Sequence, residues 1–222
     1  MDQQKGLVLV TLRDRDTHWR VFRMYMKEFY PELHVCICQQ ADKKVWNKGL
    51  LYNAGYHIMS AGYDYVILHD IDFLPVVGKV DYSPTDVPCM IAGEASQFGY
   101  RLMFPTFFGG VVTCSKEHYE LINGFSNQFK GYGGEDCNFR DSFIQKGIQT
   151  GTKAGRFECF AHPKPDITPG SQFFNSPDYQ HNWKLVHQPR DFSEGLSNCM
   201  DLIESYHIDI SPNYIHIKLV TK

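Results

Sequence analysis

The chain has 222 residues, of which 43% are hydrophobic and 21% charged, enough to bury a core without disulfide staples and unlike a disordered or fibrous protein. Lys and Arg number 22 against 25 Asp and Glu, a net charge of −3, so no basic excess supports binding to nucleic acid. No run approaches the roughly 18 apolar residues of a membrane span, and no apolar signal-peptide core follows the polar start from Met1 to Lys5. The expectation is a cytoplasmic protein with no transmembrane segment.

Residues 6–12 form a nearly continuous apolar run rich in β-branched side chains, the pattern of a strand buried on both faces of a parallel sheet. A charged loop from Arg13 to Asp16 follows. Trp19, Phe22, Met26 and Phe29 then recur at helical spacing up to Pro31, with Asp16 or Thr17 as the cap. The unit repeats with a strand over 33–38, a helix over 49–61 stopped by Gly62 and a third buried strand over 65–68. Alternating strands and helices predict an α/β layer with right-handed crossovers.

After Asp72 the rhythm breaks at Pro75, Pro84 and Pro88, leaving short strand candidates at 90–92 and 108–113. Ser115 caps a helix reaching 122, and a second helix is expected over 135–146, closed by Gly147. Residues 151–190 read as loop, and 214–220 alternate like an edge strand. The seven cysteines are odd in number, scattered and without a CxxC pair, which argues against a disulfide framework and for buried thiols. No repeat or linker divides the chain, so a single domain over 1–222 is expected.

Four features bear chemistry. The strand from Tyr65 runs into Asp70 and Asp72, beyond the carboxyl end where open α/β sheets bind ligands; the pair either holds a divalent cation or simply closes a solvated strand end. Gly131, Gly133 and Gly134 precede Glu135 and Asp136 at a helix start, where amide dipoles keep a carboxylate ionised; that suits a general base and equally suits plain capping. Phe98, Tyr100, Phe104, Phe107 and Phe108 are either core or the wall of a sugar or base pocket. Cys159 and His162 have a spacing that can bring both onto one ion.

Taken in order, these segments resemble glycosyltransferase family 7, the beta-1,4-galactosyltransferases and their N-acetylgalactosaminyl relatives. The matching stretches are Arg13-Asp-Arg15, Trp46-Asn-Lys48 through Gly55, His69-Asp-Ile-Asp72 through Pro75, Phe108-Gly-Gly-Val111, Asn123-Gly-Phe125 and Gly131-Tyr-Gly-Gly-Glu-Asp136, with Glu194-Gly-Leu-Ser197 near the end. The resemblance implies an α/β GT-A (Rossmann-like) fold with a mostly parallel central sheet flanked by helices. It also implies a nucleotide-binding half over about 6–75 and an acceptor and catalytic half over about 76–222.

By the same resemblance, Arg13, Arg15, Trp46, Lys48, Asp70, Gly110 and Tyr132 are expected at the UDP-sugar donor, arginine suiting a diphosphate through its forked pair of donors. Asp72, His162 and Cys159 are expected to hold Mn²⁺ or another divalent metal. Asp136 is expected as the general base that deprotonates the acceptor hydroxyl, and Glu135, Phe104 and Phe107 as acceptor contacts. The implied activity is an inverting, metal-dependent transfer of a hexose, galactose first, to a saccharide or glycoconjugate, with glucose or N-acetylgalactosamine as alternatives. A nucleotidyltransferase and a non-catalytic sugar-nucleotide or glycan-binding module are the rival readings.

The chain departs from the family pattern in several places. Cys159 is a softer ligand than the usual Met or His, Lys48 replaces an Arg, Tyr132 a Trp and Phe107 a Tyr or Ile, and Cys137 follows the acidic pair. Cysteines are missing at Tyr65 and around Pro84, where animal members form a bridge, so a catalytic domain suited to a reducing compartment is expected.

Overall fold

The computed structural model describes residues 4–212 and 214–222, so the first three residues of the polar N-terminus lie outside the described residues. In chain order the elements are β1 (Gly6–Leu12), α1 (Asp16–Phe29), β2 (His34–Gln40), α2 (Lys48–Met59), β3 (Tyr65–Asp70), β4 (Phe73–Pro75), β5 (Cys89–Met90) and β6 (Glu94–Ala95). There follow β7 (Val111–Ser115), α3 (Lys116–Leu121), α4 (Glu135–Gln145), β8 (Gly151–Thr152), β9 (Arg156–Cys159), α5 (Pro177–Val186), β10 (Ile203–Ser211) and β11 (Tyr214–Thr221). An eight-stranded sheet runs in the order β10-β11-β2-β1-β3-β7-β5-β8, and a small three-stranded sheet runs β4-β9-β6.

The four strands β11, β2, β1 and β3 are parallel, whereas β7 and β10 are antiparallel to their neighbours. With partners on both sides and helices over its faces, β1 is buried from Leu7 to Leu12, which is why its sequence is continuously apolar. Helix α1 lays Trp19, Phe22 and Met26 on the core, and α2 is buried from Gly49 to Tyr56. Among the described residues no helix is long and apolar enough to cross a membrane.

Several expectations need correction. Helix α1 begins at Asp16 itself, with Arg15 in the capping place and no side chain closing the first turn; Asp16 instead puts its charge inside that turn, where the helix dipole favours it. Within the stretch read as loop lies α5, started by Ser176, whose hydroxyl accepts from the Tyr179 amide, and by Pro177 at its first position. A serine cap with proline at the first helical position is a helix start, which the loop-like composition of 151–190 concealed. Nor is β11 an edge: β10 pairs along its outer side and takes that place. The short strands also begin or end differently, with β7 delayed to Val111 by the Gly109-Gly110 turn.

What positions the site is a buried carboxamide network. The Oδ1 of Asn53 on α2 accepts from the Tyr119 hydroxyl at 2.8 Å and the Phe125 amide at 3.0 Å. Its Nδ2 donates to the Phe125 carbonyl and to Asn127 Oδ1, each at 2.9 Å. Asn127 in turn donates to the Gly195 carbonyl at 2.7 Å and to Asn198 at 3.0 Å, tying α2 to the loops at 123–127 and 194–198. Because all four capacities of the fully buried Asn53 are used, Asn53→Ala should lose on the order of 3 kcal/mol of stability. Urea unfolding measures this, and a loss below about 1 kcal/mol, the net value of a single hydrogen bond, would show that the network does not carry the packing.

Candidate functional site

The carboxyl ends of β1 and β3 and the N-termini of α2 and α4 converge on one side of the sheet. Asn47 starts α2 by accepting from the Leu50 amide at 2.9 Å and donates to the Asn127 carbonyl at 2.7 Å, so Lys48, the first helical residue, is fixed in direction. Its Nζ lies 3.0 Å from Asp70 Oδ1, 3.1 Å from Asp136 Oδ1 and 3.9 Å from Glu135 Oε1. Burial works against charge on this amine, but Asp136 and Asp70 outweigh it and hold the ammonium well above its ordinary range.

Helix α4 opens on Gly134, whose φ of +89° is open to glycine at little cost, and carries Glu135 and Asp136 in its first turn. A Cβ on Gly109 would collide with the Asp136 carboxylate, so the missing side chain there is the space in which the acid sits. The helix-start amides do not keep Asp136 in the ordinary ionised range as expected: burial outweighs them and pushes its carboxyl up to about 7; Lys48 opposes the rise, and Glu135 and Asp70 add to it.

A second cluster lies on the strand-to-loop side. Asp72 Oδ2 is 3.3 Å from His162 Nε2, and burial followed by the charge of Asp70 pushes the Asp72 carboxyl up, His162 opposing. His162 Nδ1 meets the Pro163 carbonyl at 2.9 Å; a carbonyl only accepts, so Nδ1 carries a proton. A neutral ring then turns its Nε2 lone pair on a carboxylate oxygen, and two acceptors at that distance need a proton or a cation between them. This donor set, a carboxylate oxygen and an imidazole nitrogen whose other ring nitrogen bonds a backbone carbonyl, fits a divalent ion.

The expected residues are only partly gathered. Lys48, Asp70, Glu135 and Asp136 form one group and Asp72 and His162 a pair. Cys159 pairs with Phe73 across β9 and β4, but among the described residues no three His, Cys, Asp or Glu side chains close on one point. The Arg13 guanidinium lies over the Trp46 ring at 5.3 Å and donates to the Lys44 carbonyl at 2.7 Å; Arg15 makes no ion pair among the described residues. Gly110, with φ +76°, packs on Phe73. Phe107 touches Phe104 at 5.6 Å and Phe98 at 5.5 Å between ring centres, and Tyr132, two-fifths exposed, faces Phe173 at 6.3 Å.

Two neighbours escaped the sequence reading. Tyr52 reaches Asp70 Oδ1 at 3.4 Å, and His18 stands edge-on to Phe160 at 5.0 Å, where burial and then the Arg15 charge push its imidazole down and Asp72 opposes. His18 follows the Arg13 to Arg15 loop by less than one helical turn, and that was the available signal.

Residues 1–84 match the family described as the N-terminal region of glycosyl transferase group 7, and residues 91–165 match the one described as the N-terminal domain of galactosyltransferase. The chain belongs to glycosyltransferase family 7. Among family 7 relatives, beta-1,4-galactosyltransferase 7 of Drosophila melanogaster is 30% identical over 215 residues, covering 91% of this chain and 64% of that protein. The Homo sapiens protein of the same name is 34% identical over 162 residues, covering 67% of this chain and 49% of its own length. The chain thus spans about half to two thirds of the length of these and similar galactosyltransferase relatives. The crystal structure of the catalytic domain of Drosophila beta1,4galactosyltransferase 7 in complex with xylobiose superposes with a TM-score of 0.78 at 25% identity, covering 99% of this chain and 94% of that one. A mutant of that enzyme in complex with manganese, UDP-Gal and xylobiose superposes at 0.74 and 24% identity, and the GT-A fold is shared.

The raised Asp136 carboxyl has a consequence for stability. Its unfolded value is about 3.9, so between there and about 7 the folded chain holds a proton that the unfolded chain has released. Stability from this group is full below the lower value and falls as pH rises through the interval. Asp136→Asn should therefore raise the melting temperature of the unliganded protein at pH 8 and leave it nearly unchanged at pH 4; equal shifts at both would contradict the assignment.

Proposed function

We propose that this family 7 chain is an inverting, metal-dependent glycosyltransferase that moves galactose from UDP-galactose to a saccharide hydroxyl, forming a β-glycoside. The observation that carries the reading is the shared ammonium of Lys48, which holds Asp136, a carboxyl poised near neutral pH, beside the donor-strand acid Asp70. The names of the relatives support galactose as the donor sugar.

Asp136 takes the proton from the acceptor hydroxyl as its oxygen bonds to the anomeric carbon, while the bond from that carbon to the UDP oxygen breaks on the opposite face. One carboxyl supplies the base and UDP leaves with the bonding pair. Lys48 and Arg13 offer positive charge to the diphosphate, and the Trp46 ring is the flat surface at hand for the uracil. Asp72 and His162, with Cys159 nearby, would hold a divalent ion such as Mn²⁺, which neutralises charge on a departing diphosphate. Phe104, Phe107 and Tyr132 would give the acceptor an apolar face, and Glu135 a hydrogen-bond acceptor. On this reading the chain works as one catalytic domain, with donor contacts from residues 6–75 and acceptor contacts from 76–222. All seven cysteines are free and five are buried, which supports work in a reducing compartment, the cytoplasm.

Incubation with UDP-galactose, Mn²⁺ and simple saccharides should release UDP; release of pyrophosphate in its place would mark a nucleotidyltransferase, and no turnover of any UDP-sugar with any divalent ion would end the enzyme reading. Asp136→Asn should lose at least a hundredfold in kcat while still binding UDP, whereas Asp72→Ala should lose the metal-dependent part of UDP binding. The base must be ionised, so kcat/KM should rise with pH to a plateau above about 7; a flat profile from pH 5 to 9 would remove Asp136 from that role.

A further inference from the structure

His69 is fully buried between Phe22, at 5.1 Å, and Phe157, at 5.9 Å between ring centres, one residue before Asp70 at the end of β3. Both ring nitrogens are engaged. Nδ1 lies 2.9 Å from the carbonyl oxygen of Asp70, and Nε2 lies 2.9 Å from the hydroxyl of Tyr82, itself buried. A carbonyl can only accept, so Nδ1 carries the proton; Nε2 must then accept, and Tyr82 donates. Each partner dictates the tautomer of the ring, and a buried imidazole with one proton satisfies both without charge.

The carbonyl that receives the Nδ1 proton belongs to the peptide between Asp70 and Ile71, the first of the two links between the acids. On its N-terminal side Asp70 is held by its amide, which donates to the Gly110 carbonyl at 2.8 Å, and the ladder of β3 with β7 ends one residue earlier at His69 and Val111. On its C-terminal side the Asp72 carbonyl accepts from the Phe160 amide at 2.8 Å. Rotation of the 70–71 peptide would re-aim Asp72 relative to Asp70, and the histidine bond adds to the pairing of Asp70 with Thr11 on β1 in opposing that rotation.

We propose that His69, braced by Tyr82, is a positioning residue that fixes the 70–71 peptide and thereby the relative aim of Asp70 and Asp72. The inference rests on the donor and metal roles given to those acids above, but its first test needs neither. Nitrogen-15 NMR of histidine-labelled protein, with His69 assigned by its loss in His69→Asn, should show the proton on Nδ1 and none on Nε2. Exchange of the Ile71 amide should quicken in His69→Phe and stay near that of the native chain in His69→Asn, whose side-chain amide can still donate to the carbonyl. Mn²⁺ binding in the presence of UDP, followed by electron paramagnetic resonance, should weaken about tenfold in His69→Phe and be largely kept in His69→Asn. Tyr82→Phe leaves the ring packing intact and serves if His69→Phe does not fold; it should free Nε2 to take the proton and quicken Ile71 exchange. A proton on Nε2 in the native chain, or Ile71 exchange that neither His69→Phe nor Tyr82→Phe alters, overturns the proposal. Native protein that binds Mn²⁺ and UDP without transferring sugar would sink the transferase reading and leave the brace standing.

Discussion

A single half-buried ammonium holds the site together. Lys48 sits among Asp70, Glu135 and Asp136, acids that arrive from the end of a strand and the start of a distant helix and would otherwise repel one another in a partly dehydrated space. With every acid ionised the arrangement would carry more negative than positive charge, since one lysine faces three carboxyl groups and Asp72 stands close by; burial accordingly pushes the Asp136 and Asp72 carboxyls up. Such an imbalance is costly in an empty site and is relieved by a bound cation. The architecture is thus organised around charge supplied from outside the chain.

Holding Lys48 in place falls to uncharged groups. Asn47 at the cap of α2 and Asn53 within it lock that helix to Phe125 and Asn127, and the Gly131 amide donates to the Trp46 carbonyl at 2.7 Å, so the glycine loop before α4 is tied to the residues beside the lysine. Gly109 leaves the space that the Asp136 carboxylate fills. Carboxamides suit this work because they bond in both directions without titrating, so the frame does not loosen as pH changes.

Legibility in the sequence followed burial. The strands β1 and β3 could be read because burial on both faces makes their side chains uniformly apolar. Glu135 and Asp136 stood out because their meaning lies in local position, at a helix start behind glycines. What stayed hidden depends on distance along the chain: nothing near Lys48 says that it serves carboxylates 22 and 88 residues away. Helix α5 hid behind Ser176 and Pro177, residues that mark loops and helix starts alike. Strand β10 hid because most of its side chains are exposed, which removes the alternation that marks a half-buried strand.

That outer strand bears on how the chain behaves in company. It offers neighbours a nine-residue backbone margin, and Ile210 at its end is 78% exposed, the sort of border along which a foreign strand can be added. Charge stands guard over it: His207 meets Asp209 at 2.9 Å, and Lys218 on β11 reaches Asp209 at 3.3 Å. An intruding strand would have to strip water from these groups, so colloidal behaviour in concentrated solution turns on a few ionic side chains far from the chemistry, and concentrated salt weakens that guard.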